Sequence, residues 1–109
     1  MELKAITLDL SNIKDFDSLH NELSLLFGFP DFCGKNVNAL IDCMSGVRFP
    51  EEGMTKVNIC RDECFMLEIK GLCDAPNEIK NTIIFVIECV NERYLIDKMN
   101  PAFLLHLIR

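Results

Sequence analysis

Segments with the pattern of strands and segments with the pattern of helices alternate along this chain of 109 residues. The predicted order is a strand, two helices, a strand, a long helix and a last strand. Helical connections between successive strands are typical of parallel sheets, in which the crossovers are right-handed. The sequence therefore predicts an α/β fold with a small three-stranded parallel sheet. At this length, with 50% hydrophobic residues, we expect residues 1–109 to form a single domain with its own core.

The three predicted strands differ in how their apolar residues are arranged. Leu3–Leu8 is an apolar run with one lysine, Cys64–Lys70 alternates between apolar and polar positions, and Ala102–Ile108 is almost continuously apolar. The alternation in the second strand predicts one wet face, so we expect two layers with the helices packed mainly on one face of the sheet. Residues 57–60 are expected to pair with the second strand as a hairpin.

The first two predicted helices have clear start and stop residues. Asp15 is placed to cap the first helix, and Gly28 to end it. Asn36 is placed to cap the second, and Gly46 stands at its predicted end. The residues after it, 47–55, are expected to form a loop.

The third predicted helix is the longest. Asp74 is its expected cap, and Asn100-Pro101 is expected to break the helical pattern. The β-branched run at residues 83–87 also fits a buried strand. A helix is favoured because apolar residues recur with a helical period over about twenty residues.

The charge of the chain bears on the kind of partner it can bind. With 17 acidic and 11 basic side chains the net charge is −6. Direct binding of nucleic acid is disfavoured, since neutralising phosphates requires clustered Lys and Arg. A basic protein partner is favoured, because complementary fields speed association. Acidity also fits a role in solubility alone.

The sequence shows neither a clear signal peptide nor a clear membrane span. The N-terminal residues lack the pattern of a signal peptide, and the longest apolar runs are too short to span a bilayer. We therefore expect a cytoplasmic protein that does not bind membranes, with mostly reduced cysteines.

The chain has six cysteines, and two of them, Cys60 and Cys64, are close in sequence. A zinc site usually adds a second close pair or histidines, and no such group accompanies these two. We predict no metal site and no cofactor, with the thiols acting as small hydrophobic residues. Cys33 is the exception, since we expect it to be exposed in a loop. A thiol or metal regulator remains a third class of function.

The second predicted helix carries the most distinctive polar group of the chain. Asn38, Asp42 and Ser45 are spaced i, i+4 and i+7, so they share one side of the helix, with Ile41 beside them. An ordinary solvated face has the same pattern. The sequence contains no phosphate loop, nucleophile elbow or metalloprotease motif, so we predict no catalytic residues and no enzyme activity. An acid–base pair of Asp42 and His20 is disfavoured because no nucleophile accompanies it.

Residues 19–46 resemble the barstar family, small acidic proteins that inhibit secreted ribonucleases. The positions that match the family pattern are Leu19, His20, Leu23, Pro30, Phe32, Gly34, Asn36, Ala39, Leu40, Asp42, Cys43 and Gly46. This resemblance implies a barstar-like two-layer domain. It also implies that the second helix and the loop before it enter the active site of a ribonuclease.

In the family, the aspartate that matches Asp42 sits where the phosphate of RNA binds. The resemblance therefore implies an inhibitor or immunity protein for a basic nuclease or toxin, monomeric when free. Its predicted partner-binding residues are Phe32, Cys33, Gly34, Asn38, Ile41, Asp42, Ser45 and Gly46.

Several of these positions depart from the family. Asn38 stands where the family has an aspartate, Ile41 replaces a tryptophan, and Phe32 lacks a tyrosine hydroxyl. Cys33 replaces the second aromatic residue, and Ser45 replaces threonine. The alternative function is a non-inhibitory interaction module of the same fold that uses another surface.

Overall fold

The computed structural model describes residues 1–108 and confirms the predicted α/β fold. Three helices and three strands follow one another in the predicted order. Their bounds are β1 Glu2–Asp9, α1 Phe16–Phe27, α2 Val37–Met44, β2 Glu63–Lys70, α3 Asn77–Ile96 and β3 Phe103–Ile108. Within this described part, no helix combines the length and the apolar character needed to cross a bilayer.

The sheet has β2 at its centre, with β1 and β3 parallel to it on either side. In this register Phe65 lies between Lys4 and Phe103, and Leu67 lies between Ile6 and Leu105. Phe65 and Leu67 are almost completely buried, whereas Met66 and Glu68 are partly exposed and Lys70 is exposed. The helices therefore cover mainly one face of the sheet, as the alternation in β2 predicts.

Phe27, at the end of α1, lies at the centre of the aromatic core. Its ring centroid is 5.7 Å from that of Phe65 and 5.8 Å from that of Phe103, both in edge-to-face contact. Phe29 stacks against it at 6.1 Å. Edge-to-face contacts of this kind add to the burial of apolar area. The connection after α1 is thereby fixed to the sheet, and it leads directly into α2.

The predicted caps of α1 and α2 are confirmed. The side chain of Asp15 accepts a hydrogen bond from the Ser18 amide, and Gly28 ends α1 with a positive φ of 73°. The side chain of Asn36 accepts a hydrogen bond of 2.8 Å from the Ala39 amide at the start of α2. These bonds satisfy amides that a helix start leaves without a partner. They fix where the polar face of α2 begins.

Gly46 does not act as the helix stop that the sequence predicts. After α2, residues 45–48 continue as a turn of 3-10 helix, and Gly46 has no positive φ. A Cβ at this glycine would lie 2.6 Å from the Cβ of Met54. Glycine stands here because another part of the chain packs directly against its backbone.

Three further local predictions are wrong. Residues 57–60 form no strand, since the Ile59 amide donates to the Val47 carbonyl instead of entering a hairpin. Asp74 lies in a short 3-10 turn, and α3 starts at Asn77 after Pro76. The predicted loop at 47–55 contains part of one 3-10 turn and the whole of a second at residues 50–52.

Arg48 is a charged residue inside the protein, with 8% of its surface exposed. Its guanidinium donates hydrogen bonds to the carbonyls of Cys60, Glu63, Asn100 and Pro101. It also lies 4.9 Å from the centre of the Tyr94 ring, in a cation–π contact. The Arg48 side chain thus links three segments: the one that follows α2, the one that leads into β2 and the one that leads into β3.

Candidate functional site

The side chains of α2 are divided between the core and the surface. Leu40 and Met44 are almost completely buried, whereas Asn38 and Asp42 are exposed and Ser45 is partly exposed. The hydroxyl of Ser45 donates a hydrogen bond of 2.6 Å to the Ile41 carbonyl, one turn earlier. The surface of α2 therefore presents an amide and a carboxylate, with a hydroxyl bound to the backbone at the end of the helix.

Two predicted partner-binding residues, Ile41 and Gly46, are buried. Ile41 is 5% exposed and belongs to the hydrophobic core. Its small exposed part lines a cleft between α2 and α3. The expectation that Ile41 lies openly beside the polar group is corrected here, because α3 packs against α2 and widens the buried side of the helix. Gly46 shapes the backbone at the end of α2 without offering surface of its own.

The loop before α2 presents an aromatic ring to solvent. Phe32 is 76% exposed, and Gly34 beside it is exposed as well. The Cys33 amide donates to the Pro30 carbonyl at 3.0 Å, which folds the loop into a turn. An exposed phenylalanine on a structured turn is a candidate anchor for a protein partner, since aromatic residues often contribute most to interfaces.

Cys33 is half-buried and is joined to Cys43 on α2 by a disulfide, with 6.9 Å between the two Cα atoms. The expectation of an exposed thiol at Cys33 is therefore wrong. The disulfide joins the loop that carries Phe32 to the helix that carries Asp42. The two predicted parts of the binding surface are thus covalently linked.

His20 on α1 lies beneath this loop and is 4% exposed. Its Nε2 is 3.7 Å from the Cys33 sulfur, and within residues 1–108 its Nδ1 has no hydrogen-bond partner. Burial lowers the pKa of His20 below its ordinary value, since an imidazolium would lose hydration there. His20 therefore packs as a neutral ring against the loop.

The carboxylate of Asp42 forms an ion pair with Arg93 on α3. Arg93 Nη1 is 2.9 Å from Asp42 Oδ1, and it also donates to the Ser45 hydroxyl oxygen at 3.3 Å. The side chains of Asp42 and Arg93 are 59% and 51% exposed. The carboxylate faces solvent and is not turned into the core, but it has a positive neighbour from its own chain.

Tyr94, the next residue of α3, holds the same end of α2. Its hydroxyl donates a hydrogen bond to the Ser45 carbonyl, and its ring stacks on Phe49 with centroids 6.1 Å apart. Burial raises the pKa of Tyr94 above its ordinary value. The roles of Arg93 and Tyr94 are not predicted from the sequence. Their position late in a long amphipathic helix does not show which helix they face.

Two shallow clefts lie along the junction of α2 and α3, and Arg93 lines both. The first, of about 320 Å³, is otherwise lined by Asn38, Ile41, Phe85, Cys89, Glu92 and Ile96. The second, of about 200 Å³, is otherwise lined by Asp42, Ser45, Phe49, Glu52, Tyr94 and Asp97. The second cleft is acidic, with three carboxylates on its walls. The first is mixed, with apolar walls and both charges.

Of the four free cysteines, Cys89 lines the first cleft, whereas Cys60, Cys64 and Cys73 lie outside both clefts. The Glu63 carboxylate, through a hydrogen bond, raises the pKa of Cys60, and burial raises that of Cys64. A raised pKa lowers the fraction of reactive thiolate. Among residues 1–108, no group of three or more His, Cys, Asp or Glu side chains is arranged to hold a metal ion.

Comparison with known proteins assigns this chain to one family. The family model described as "Barstar (barnase inhibitor)" matches residues 3–94. The chain therefore belongs to the barstar family.

A curated relative agrees with this assignment over part of its length. The Bacillus subtilis (strain 168) protein named "Putative ribonuclease inhibitor YrdF" is 34% identical over 44 residues. The match covers 40% of this chain and 48% of the relative, so it spans about half of that protein.

Proposed function

We propose that this protein inhibits a basic ribonuclease or nuclease toxin by docking α2 and the loop before it over the active site of the enzyme. The observation that carries the proposal is the exposed carboxylate of Asp42 on a short capped helix, which a disulfide joins to the loop that carries the exposed ring of Phe32. A nuclease must bind an anionic phosphate with cationic side chains. A fixed carboxylate can occupy the same cationic site.

The contact surface in this proposal combines charged, polar and aromatic groups. Asp42 takes the place of a phosphate, Asn38 offers a neutral amide beside it, and Phe32 supplies an apolar anchor. Cys33 and Gly34 shape the loop, whereas Ile41, Ser45 and Gly46 support the end of α2. The net charge of −6 favours rapid encounter with a basic enzyme. The free protein acts as a cytoplasmic monomer and contributes no catalytic group.

The test starts from capture of the nuclease. The immobilised protein is used to isolate bound nucleases from the organism that carries it, and each purified nuclease is assayed on RNA and on DNA with and without the protein. We expect stoichiometric inhibition of one nuclease. Asp42→Lys should weaken binding by at least about 100-fold, since it leaves like charges facing each other in the contact.

A matched control separates the site from the overall charge. Glu22→Lys makes the same change in net charge at an exposed position of α1. It should slow association slightly and leave dissociation unchanged. If Asp42→Lys and Glu22→Lys have equal effects, Asp42 is not at the contact. If no nuclease is inhibited, the proposed function is wrong.

A second candidate is an interaction module that uses the part of α3 lining the first cleft. The observation that favours it is a pair of exposed apolar side chains there, Phe85 and Ile96. Apolar groups of this kind often mark protein contacts. A captured partner whose binding survives Asp42→Lys and is lost on Ile96→Glu would favour this candidate.

A further inference from the structure

The surface that α2 offers is an ion pair and not a lone carboxylate. The 2.9 Å contact between Arg93 and Asp42 joins two side chains that are both about half exposed. Any partner that docks on Asp42 therefore also meets a guanidinium. The inference that follows rests on the proposed function and concerns the chemistry of the partner.

Each member of the pair has hydrogen-bonding capacity left over. A guanidinium carries five N–H groups in a planar fork. Within residues 1–108, both recorded contacts of Arg93 are made by Nη1, and that of Asp42 is made by Oδ1. Nε and Nη2 of Arg93 and Oδ2 of Asp42 make no hydrogen bond or ion pair within residues 1–108, and both side chains are about half exposed, so these atoms are left for water or for a partner.

Docking of a partner removes the water that binds these atoms of Arg93 and Asp42. A charged group that is desolvated without a replacement partner is costly, and more costly than a neutral group. A partner with cations only would satisfy Asp42 and leave Arg93 desolvated, or would have to break the ion pair. A partner that also offers an anionic acceptor avoids both costs.

The surroundings of the pair indicate where each partner charge fits. On the side of Asp42, the acidic cleft adds the carboxylates of Glu52 and Asp97, which favours a cation. On the other side, the mixed cleft holds the Asn38 amide and Arg93, with Glu92 as the one carboxylate of its lining. An amide and a guanidinium together suit a carboxylate.

We infer that Arg93 is a specificity-determining residue, and that the partner is a nuclease with a carboxylate beside its phosphate-binding cations. The cation binds the free oxygen of Asp42, and the carboxylate binds the free edge of Arg93. The pair between Asp42 and Arg93 persists in the complex. A nuclease whose contact surface is wholly cationic is rejected.

The test uses the nuclease that the original protein inhibits. It measures how tightly this nuclease binds Arg93→Gln, Asp42→Asn and the double variant. Arg93→Gln should weaken binding by about 10- to 100-fold, the effect of losing one charge-assisted hydrogen bond. Arg93→Lys keeps the charge but loses the planar fork, so it should recover only part of the affinity. Lys14→Gln, the same loss of charge at an exposed position before α1, is the control and should bind almost as tightly as the original protein.

The inference and the proposed function fail in different ways. If Arg93→Gln binds as tightly as the original protein or more tightly, Arg93 competes with the partner and the inference is wrong. The inhibitor function still stands in that case if Asp42→Asn abolishes inhibition. If the original protein inhibits no nuclease, both fall. A circular dichroism melt of each variant shows that lost affinity does not come from unfolding.

Discussion

The hydroxyl of Tyr94 lies 2.5 Å from the backbone carbonyl of Ser45 and donates a hydrogen bond to it. This bond joins α3 to the end of α2 inside the protein, since Tyr94 is buried. Tyr94→Phe should lower the free energy of unfolding by about 1–2 kcal/mol, because the carbonyl loses its buried donor. Urea denaturation measures the change. Leu95→Ala, at the exposed next position, is the control and should cost much less. Equal stability of Tyr94→Phe and the original protein would contradict the role of this bond.

The close approach of Gly46 and Met54 gives a second prediction. Gly46→Ala would place a Cβ 2.6 Å from the Cβ of Met54, so we expect a loss of about 1–3 kcal/mol of stability from the forced shift. Met54→Ala should not relieve the clash, since the contact is to the Cβ itself, whereas Met54→Gly should. Thermal melts of the single and double variants give these differences.

Gly34 provides the matched control for that experiment. A Cβ there would meet only the end of the Asn36 side chain at 3.2 Å and Ala39 at 3.4 Å. Gly34→Ala should therefore cost clearly less than Gly46→Ala. If the two substitutions are equally destabilising, the contact with Met54 is not the reason for glycine at position 46.

The buried ring of His20 predicts a dependence of stability on pH. Its pKa in the folded protein is below the ordinary value of 6.5, so the unfolded chain binds more protons in the range below that value. The stability that neutral His20 contributes is present above pH 6.5 and is lost as the pH falls toward the folded pKa. His20→Gln should remove this part of the slope. Urea denaturation of both proteins from pH 8 to pH 5 measures it, and parallel curves would be the contradicting result.

The disulfide between Cys33 and Cys43 predicts a redox-dependent stability. Its removal by Cys33→Ser should cost about 2–3 kcal/mol, the usual effect of closing a loop of this length. A reductant should destabilise the original protein and leave the variant unchanged. Cys73→Ser, at an exposed free thiol, is the control.

Mass spectrometry gives an independent check on the same disulfide. Alkylation of the denatured, unreduced protein should modify four of the six cysteines, namely Cys60, Cys64, Cys73 and Cys89. Modification of all six would show that the bond is absent under the conditions of preparation.

The sequence predicts the element order and the two layers, one of sheet and one of helices, because apolar periodicity decides which face of each element is buried. The alternation of the buried Phe65 and Leu67 with the more exposed Met66 and Glu68 is one such case. Caps such as Asn36 are also readable, since the bond they make is local. These features depend on residues a few positions apart.

The features that the sequence does not predict depend on distant parts of the chain. Ile41 is buried because α3 covers it, and periodicity within α2 carries no information about that neighbour. The pairing of Arg93 with Asp42 depends on the crossing of two helices that are far apart in sequence. The position of Gly46 is explained only by Met54. The sequence therefore predicts which side chains form the candidate surface, but it does not predict how their charges are paired.

The division of α2 into buried and exposed side chains has a consequence for protein engineering. Leu40 and Met44 are buried and hold the helix in place, whereas Asn38 and Asp42 are exposed. A library of variants can change Asn38, Asp42 and, on α3, Arg93. Such a library would alter which enzyme is bound and leave the packing of the core almost unchanged. Retargeting such a scaffold to a new enzyme is then a problem of surface chemistry alone.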